Sequence, residues 1–407
     1  MTPTSYILGP DRRGRCALVQ GDRWLWLGRG EPPGRPRAER LPCPHAEIQP
    51  GRVNAHTHLY SGAVPFGITL PTPAAPGLLP ILTELWWRLD RALDHATLKA
   101  SVRAAVADAL LCGTTTVFDH HESPRCIDGS LDVVADACRD LGLRALLAYG
   151  ATERNAGPEE AYAGLRESQR LCRRPPPGIR GCLGLHAGFT VRDDTLSTAG
   201  QLAAELGTVV HVHVAEDPED GRFARERGHQ GALSRLLAQR AVPPGSILAH
   251  GIDLSQAEIA WADKTGLWLV HNPRSNAANG LPYARVLRHA RRVALGSDGH
   301  PGPMTAELAK ARELGAACGE SPKMALHRLR AGWDLASERL GLALGVPLPD
   351  RPATADIVAM AGQRAVHVLV GGRLVVRDGA LVTGSESAIR RQAQAAAATL
   401  NQAMART

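Results

Sequence analysis

Lysine, aromatic residues and long apolar runs are all scarce in this chain of 407 residues. Only Lys99, Lys264, Lys310 and Lys323 are lysines, so the net charge of +7 is carried almost wholly by arginine. That charge is dispersed. Its densest runs, Arg12-Arg13, Arg173-Arg174 and Arg291-Arg292, are short, and aromatic residues make up only 4% of the chain. Nucleic-acid binding needs basic charge gathered on one face, so no nucleic-acid partner is expected. No stretch of 18 uncharged apolar residues occurs, and residues 1–20 lack the apolar core of a secretion signal, so no membrane association is expected either. The eight cysteines contain no C-x-x-C pair. They read as small core hydrophobes of a protein in a reducing, cytoplasmic compartment.

What is present is the texture of an α/β protein. Residues 5–28 alternate short apolar runs with Gly-Asp turns, which predicts hairpins of a small β-domain. Residues 28–50 show no sustained period and read as a loop or linker. Near the other end, Ile357-Val358-Ala359-Met360, His367-Val368-Leu369-Val370, Leu374-Val375-Val376 and Ala380-Leu381-Val382 are β-like runs separated by Gly-Gly and Asp-Gly. Between the two ends, eight short β-rich runs alternate with Ala/Leu/Arg helical segments. The runs end near His56, Phe118, Tyr149, His186, His213, His250, His271 and Asp298. Eight βα repeats over about 250–290 residues make a (β/α)8 TIM barrel, whose active sites sit at the C-terminal ends of the strands. The expected organisation is a barrel over residues 51–350 and a small β-sandwich domain built from residues 1–50 and 351–407, the latter with a terminal helix.

Chemistry concentrates at those strand ends. In Asn54-Ala55-His56-Thr57-His58 the two histidines at i and i+2 share one side of a strand, as metal ligands do, although two satisfied histidines in a turn would look the same. On strand five, His211 and His213 also share a face. His213 is favoured as the ligand, because it lies nearer the C-terminal end and has Glu216 three residues on as a proton shuttle. His211 reads as a hydrogen-bonded core residue. Strand six ends at His250, and strand eight at Asp298 within Gly296-Ser297-Asp298-Gly299, where Asp-Gly could also be a plain turn. Together His56, His58, His213 and Asp298 supply three nitrogens and one oxygen, a common catalytic Zn2+ set with room for water.

These motifs, N-A-H-T-H, H-V-A-E, A-H-G and G-S-D-G in this order, resemble the amidohydrolase superfamily, in the branch of guanine, S-adenosylhomocysteine and formiminoglutamate deaminases and triazine chlorohydrolases. The runs Phe118-Asp119-His120-His121-Glu122-Ser123-Pro124, Gly184-Leu185-His186-Ala187 and Val270-His271-Asn272-Pro273-Arg274-Ser275-Asn276 are similar to a subgroup of aminohydrolases within it. The resemblance implies one divalent metal, Zn2+ with Fe2+ as the alternative, on His56, His58, His213 and Asp298. It implies Glu216, His250 and Asp298 as catalytic groups, a small-molecule substrate, and a barrel of a kind that is often a homodimer. The bridging lysine of two-metal relatives is missing, since no lysine falls between Lys99 and Lys264.

The expected reaction is hydrolytic deamination of a purine-like N-heterocycle. Alternatives are amidine deimination, triazine-type dechlorination or a non-catalytic binding barrel. His186, Trp87, Arg154 and His271 are candidates for contacting substrate, with qualifications. His186 could belong to the core. Arg154 could form a surface ion pair. Of Trp86 and Trp87, one is expected to cap the pocket while the other packs. His120 and His271 read as pocket lining or support for the ligands.

Overall fold

Eight parallel strands form the central sheet of the computed structural model, which describes residues 5–34, 36–69 and 77–406. They are Arg52–Thr57, Thr114–His121, Arg144–Ala151, Leu183–Ala187, Val210–Val214, Ile247–His250, Trp268–His271 and Val293–Leu295, hereafter strands one to eight. A short strand, Ile179–Gly181, adds to strand three. The sheet closes between strands one and eight. The amides of Ser297 and Asp298 both donate to the His56 carbonyl at 3.0 Å, the His58 amide donates to the Asp298 carbonyl at 3.3 Å, and Thr57 bridges Asp298. The expected (β/α)8 barrel is therefore present.

Strands covered on both faces must be apolar on both, and strand two is buried at every position. Because side chains alternate, one set packs outward: Leu185, Val212, Leu248 and Leu269 join Leu196, Leu236, Ile259 and Leu287 in the helical layer. The other set points inward. Phe118, Leu146, Cys182, Val209, Ile247, Trp268 and Val270 fill the floor of the barrel. Counting upward by twos from that floor reaches His120 and Glu122 on strand two, His186 on strand four, and His211 and His213 on strand five. The inward face thus changes from apolar to polar at the C-terminal mouth.

The chain ends build a β-sandwich. One sheet holds Ser5–Asp11, Arg15–Gln20, Arg23–Arg29, Glu39–Cys43 and Ala353–Thr354; the other holds Glu47–Pro50, Ile357–Ala361, Arg364–Val370, Arg373–Arg377 and Ala380–Leu381. Tyr6, Leu8, Val19, Trp24, Leu41, Ile48, Ile357 and Leu369 fill the space between them. The reading of residues 28–50 as a loop is corrected here, since they contain two strands. Glu39–Cys43 turns only Leu41 and Cys43 inward and carries Pro42, which suits an edge strand but gives too short an alternation to recognise. The helix Glu386–Met404 packs against the helix His95–Leu111. Among the described residues no helix is long and apolar enough to cross a membrane.

Barrel closure depends on one side chain in particular. Asn54 donates to Ser297 Oγ at 2.7 Å and accepts from the Ser297 amide at 3.0 Å, tying strand one to the loop that carries Asp298. Asn54→Ala leaves a buried N–H without its acceptor and is expected to lower stability by about 1–3 kcal/mol, measured by urea unfolding.

Candidate metal and catalytic site

The barrel mouth brings together four side chains from strands one, five and eight. His58 Nε2 lies 2.9 Å and His56 Nε2 3.4 Å from Asp298 Oδ1, and His213 Nε2 lies 3.2 Å from His58 Nε2. The proton positions follow from the partners. His58 Nδ1 and His213 Nδ1 each sit 2.6 Å from a carbonyl, of His120 and His186 respectively. A carbonyl can only accept, so both Nδ1 atoms are donors and both Nε2 atoms present lone pairs when the rings are neutral. Lone pairs at this separation repel unless a cation lies between them. His56 Nε2 is buried and has no hydrogen-bond partner among the described residues, while its Nδ1 meets His211 Nε2 at 2.9 Å. His211 therefore stands one layer below, bracing His56.

Burial pushes the His56 imidazole down to about 3 and His213 well below its ordinary value, so both are held neutral, as ligation requires. At His58 burial works in the same direction, but the hydrogen bond to Asp298 and the Asp298 charge outweigh it and lift the ring to about 9. Burial opposes ionisation of Asp298, yet the His56 and His58 rings beside it and the His58 charge hold it well below the usual carboxylate range. A divalent metal bound there would displace the His58 proton, leaving three neutral imidazoles around an ionised carboxylate. Overlapping donor groups include His250 with His56, His213 and Asp298, and His120 with His58 and His213.

Three of these positions use backbone that non-glycine residues seldom adopt. Ala215, His250 and Asp298 have φ of 49°, 74° and 54°. Strict alternation on strand six would send His250 outward beside Leu248, and the left-handed turn brings it back over the mouth. At strand eight the preceding Gly296 is required by space: a Cβ there would meet Asn272 Oδ1 at 2.5 Å and the His56 carbonyl at 2.8 Å.

Glu216 and His250 stand beside the donor set. His250 Nε2 lies 3.6 Å from Glu216 Oε2 and 4.0 Å from Asp298 Oδ2, and its Nδ1 meets Asn276 Oδ1 at 3.0 Å. Burial pushes the Glu216 carboxyl up to about 7, against the pull of His250. Ser275 Oγ donates to Asp298 Oδ2. Asn276 and Ser275 received no role from the sequence, although the Pro273-Arg274-Ser275-Asn276 run that opens a helix after strand seven carried the signal.

These groups open into a cavity also lined by Tyr60, Trp86, Trp87, Glu122, His186 and Phe189. Its free space is about 50 Å³, where ligand pockets commonly have several hundred. A larger cavity of about 490 Å³ lies against the other side of His58, Asp298 and Gly299 but lacks Glu216 and His250. Both Trp86 and Trp87 reach the smaller cavity, which corrects the expectation that only one would. Trp86 closes the π-helical turn Leu82–Trp86 and Trp87 follows it, and the extra residue of that turn changes the angular offset between neighbours.

Two expected substrate contacts are absent from the wall. Arg154 is neither on the surface nor among the lining residues: it is buried, pairs with Asp90 at 2.8 Å, and stacks 4.6 Å from the Trp87 ring centre. His271 points into the helical layer, where its Nδ1 meets Arg328 at 3.3 Å, because Trp268 and Val270 already take the inward positions of strand seven. His120 lies under the cavity, its Nε2 donating to the Leu185 carbonyl at 3.0 Å.

The purified protein is expected to carry about one divalent ion per chain by elemental analysis. His213→Ala should abolish tight binding, whereas His211→Ala should keep the stoichiometry and weaken affinity about 10–100-fold, as loss of a ligand's hydrogen-bond partner does.

Residues 48–344, which include every donor and proton-transfer candidate above, match the model of the Amidohydrolase family. The 5'-deoxyadenosine deaminase of Methanopyrus kandleri is 27% identical, with 84% of each chain covered. The 8-oxoguanine deaminase of Pseudomonas aeruginosa is 28% identical over 72% of this chain and 68% of its own. An adenosine deaminase from Xanthomonas campestris with bound zinc shares the fold at a TM-score of 0.83 and 21% identity, covering 98% of this chain and 99% of that one. An atrazine chlorohydrolase from Arthrobacter aurescens complexed with zinc does so at 0.78 and 21%, covering 97% and 99%. With its barrel, its strand-end donors and a family match over most of its length, the chain belongs to the amidohydrolase family.

Proposed function

We propose that this protein is a metal-dependent aminohydrolase that releases ammonia from a small, purine-like N-heterocycle. His56, His58, His213 and Asp298 would hold one ion, zinc by the character of the donors, with Fe2+ the alternative. A divalent ion held there supplies Lewis-acid activation of water near neutral pH. His250, whose Nδ1 proton is tied to Asn276, offers Nε2 to take a proton from the attacking water or to orient it. Asp298 Oδ2, steadied by Ser275, passes a proton on to the departing amine. Glu216, with a carboxyl that is partly protonated at neutral pH, donates to the ring nitrogen beside the attacked carbon. The water oxygen bonds to that carbon, the exocyclic C–N bond breaks, nitrogen leaves as ammonia, and the remaining water proton returns to Glu216 as the C=O bond forms.

One observation carries this reading: a protonatable carboxyl, Glu216, stands 3.6 Å from an imidazole beside a convergent three-nitrogen, one-oxygen donor set. The same division of labour, with a glutamate that does not bind the metal shuttling protons, serves zinc nucleobase deaminases of unrelated fold. Relatives named for deamination of 5'-deoxyadenosine and 8-oxoguanine support a purine-like substrate.

An ammonia-release screen of purines, pyrimidines, pterins and formimino compounds tests the reading, and a metal-loaded protein inert toward all of them would overturn it. Glu216→Gln should retain the metal and lower kcat at least 100-fold. Trp86 and Trp87 line this small space, so an occupant would lie against their rings. Binding of a slow substrate to Glu216→Gln should therefore change the fluorescence of Trp86 and Trp87, and the change should disappear when both are replaced by phenylalanine.

A further inference from the structure

The cavity wall holds a second carboxylate that this reaction does not use. Glu122 follows His120 at i+2 on the inward face of strand two, is 3% exposed, and lines the cavity. Gly150 on strand three makes the room, since a Cβ there would lie 2.4 Å from the His120 ring and 2.9 Å from Glu122 Oε1. Oε1 is buried, 3.1 Å from His120 Nδ1 but without hydrogen-bond alignment. Oε2 stands 3.8 Å from Arg154 Nη2 and 3.9 Å from His186 Nε2, both beyond hydrogen-bond range. The same Arg154 nitrogen is closer to Asp90, at 2.8 Å.

His186 is fixed as an acceptor on this side. Thr190 Oγ1 gives its only proton to the Ala187 carbonyl at 3.0 Å, so His186 Nδ1, 3.1 Å from that oxygen, must be the donor. His186 Nε2 then carries a lone pair. Two buried acceptors thus stand side by side, one of them a carboxylate that has the Arg154 charge at 3.8 Å but no donor within hydrogen-bond range of its Oε2. Buried acceptors of this kind ordinarily have a partner.

We propose that Glu122, together with His186, anchors the substrate through an amino or amidine-like N–H edge spanning both acceptors, so that N–H-rich heterocycles are selected over those presenting a bare ring nitrogen there. The inference rests on the aminohydrolase reading for its substrate but not for its binding chemistry. A ring nitrogen placed against these groups sets lone pair against lone pair, and a site built for an N–H donor rejects the analogue that lacks it.

The test uses the metal-loaded protein and two probes of equal charge, acetamidinium, which has N–H donors, and tetramethylammonium, which has none. Calorimetry should show the wild type binding acetamidinium at least tenfold more tightly, and Glu122→Gln should lose at least tenfold of that affinity with metal content and Tm unchanged. In parallel, wild-type kcat/KM should favour 2,6-diaminopurine over adenine, and Glu122→Gln should reduce that preference at least tenfold. Equal binding of the two cations by the wild type overturns the proposal without recourse to any variant. So does acetamidinium binding indifferent to Glu122, or a Glu122→Gln protein that loses its metal. If none of the screened purines, pyrimidines, pterins and formimino compounds is turned over while acetamidinium binding still depends on Glu122, the aminohydrolase reading falls and the anchoring edge stands.

Discussion

A backbone carbonyl can accept a hydrogen bond and never donate one, and the mouth of this barrel is organised by that asymmetry. The carbonyls of His120 and His186 take the Nδ1 protons of His58 and His213. The carbonyls belong to strands two and four, and the rings to strands one and five. The protonation pattern of the site is thus set by the register of the sheet rather than by the histidines alone. A ring so held has only its Nε2 left to face Asp298 and its neighbours. The convergence of the donors, the position of Asp298 and the setting of Glu216 all follow from strands that must stay in register.

Convergence has a conformational cost. Side chains from a regular barrel strand alternate in and out, and a mouth served by regular strands alone would lack His250. The left-handed residues at Ala215, His250 and Asp298 break the alternation where strands five, six and eight give way to loops, at a cost of about 1–3 kcal/mol each. Neighbouring bonds hold them there. The Ala215 amide donates to Asp220 Oδ2 at 2.9 Å, the Gly251 amide donates to the Val214 carbonyl at 2.9 Å, and the Asp298 amide donates to the His56 carbonyl at 3.0 Å.

Much of this was legible in the sequence, for a physical reason. A strand buried on both faces is an apolar run, and a histidine or aspartate at its end interrupts that run visibly. Hence all eight barrel strands, and the grouping of His56, His58, His213, Glu216, His250 and Asp298, could be read directly. What could not be read depended on facts that lie far away in the chain. The outward turn of His271 requires knowing that Trp268 faces in. The burial of Arg154 requires Asp90, 64 residues earlier. Of the two edge strands within residues 28–50, Glu39–Cys43 exposes most of its length and Glu47–Pro50 is only four residues long, so neither carries a readable alternation. Glu122 stood in plain view in the Asp119-His120-His121-Glu122 run, but its side chain becomes meaningful only when strand parity puts it on the same face as His120 and a glycine next door leaves space for both.

The sandwich strand Glu47–Pro50 is separated from the first ligand strand by Gly51 alone. Gly51 is pinned on three sides: its amide donates to the Asp356 carbonyl at 2.8 Å, its carbonyl accepts from Trp333 at 3.0 Å, and a Cβ on it would meet Thr115 at 2.3 Å. Asp356 in turn accepts from Arg144, at the start of barrel strand three, at 3.2 Å. No slack exists between the ligand-bearing strand and the sandwich. The two bodies therefore behave as one mechanical piece, and recombination that exchanges barrels within the family has to carry both chain ends along with the histidines they support.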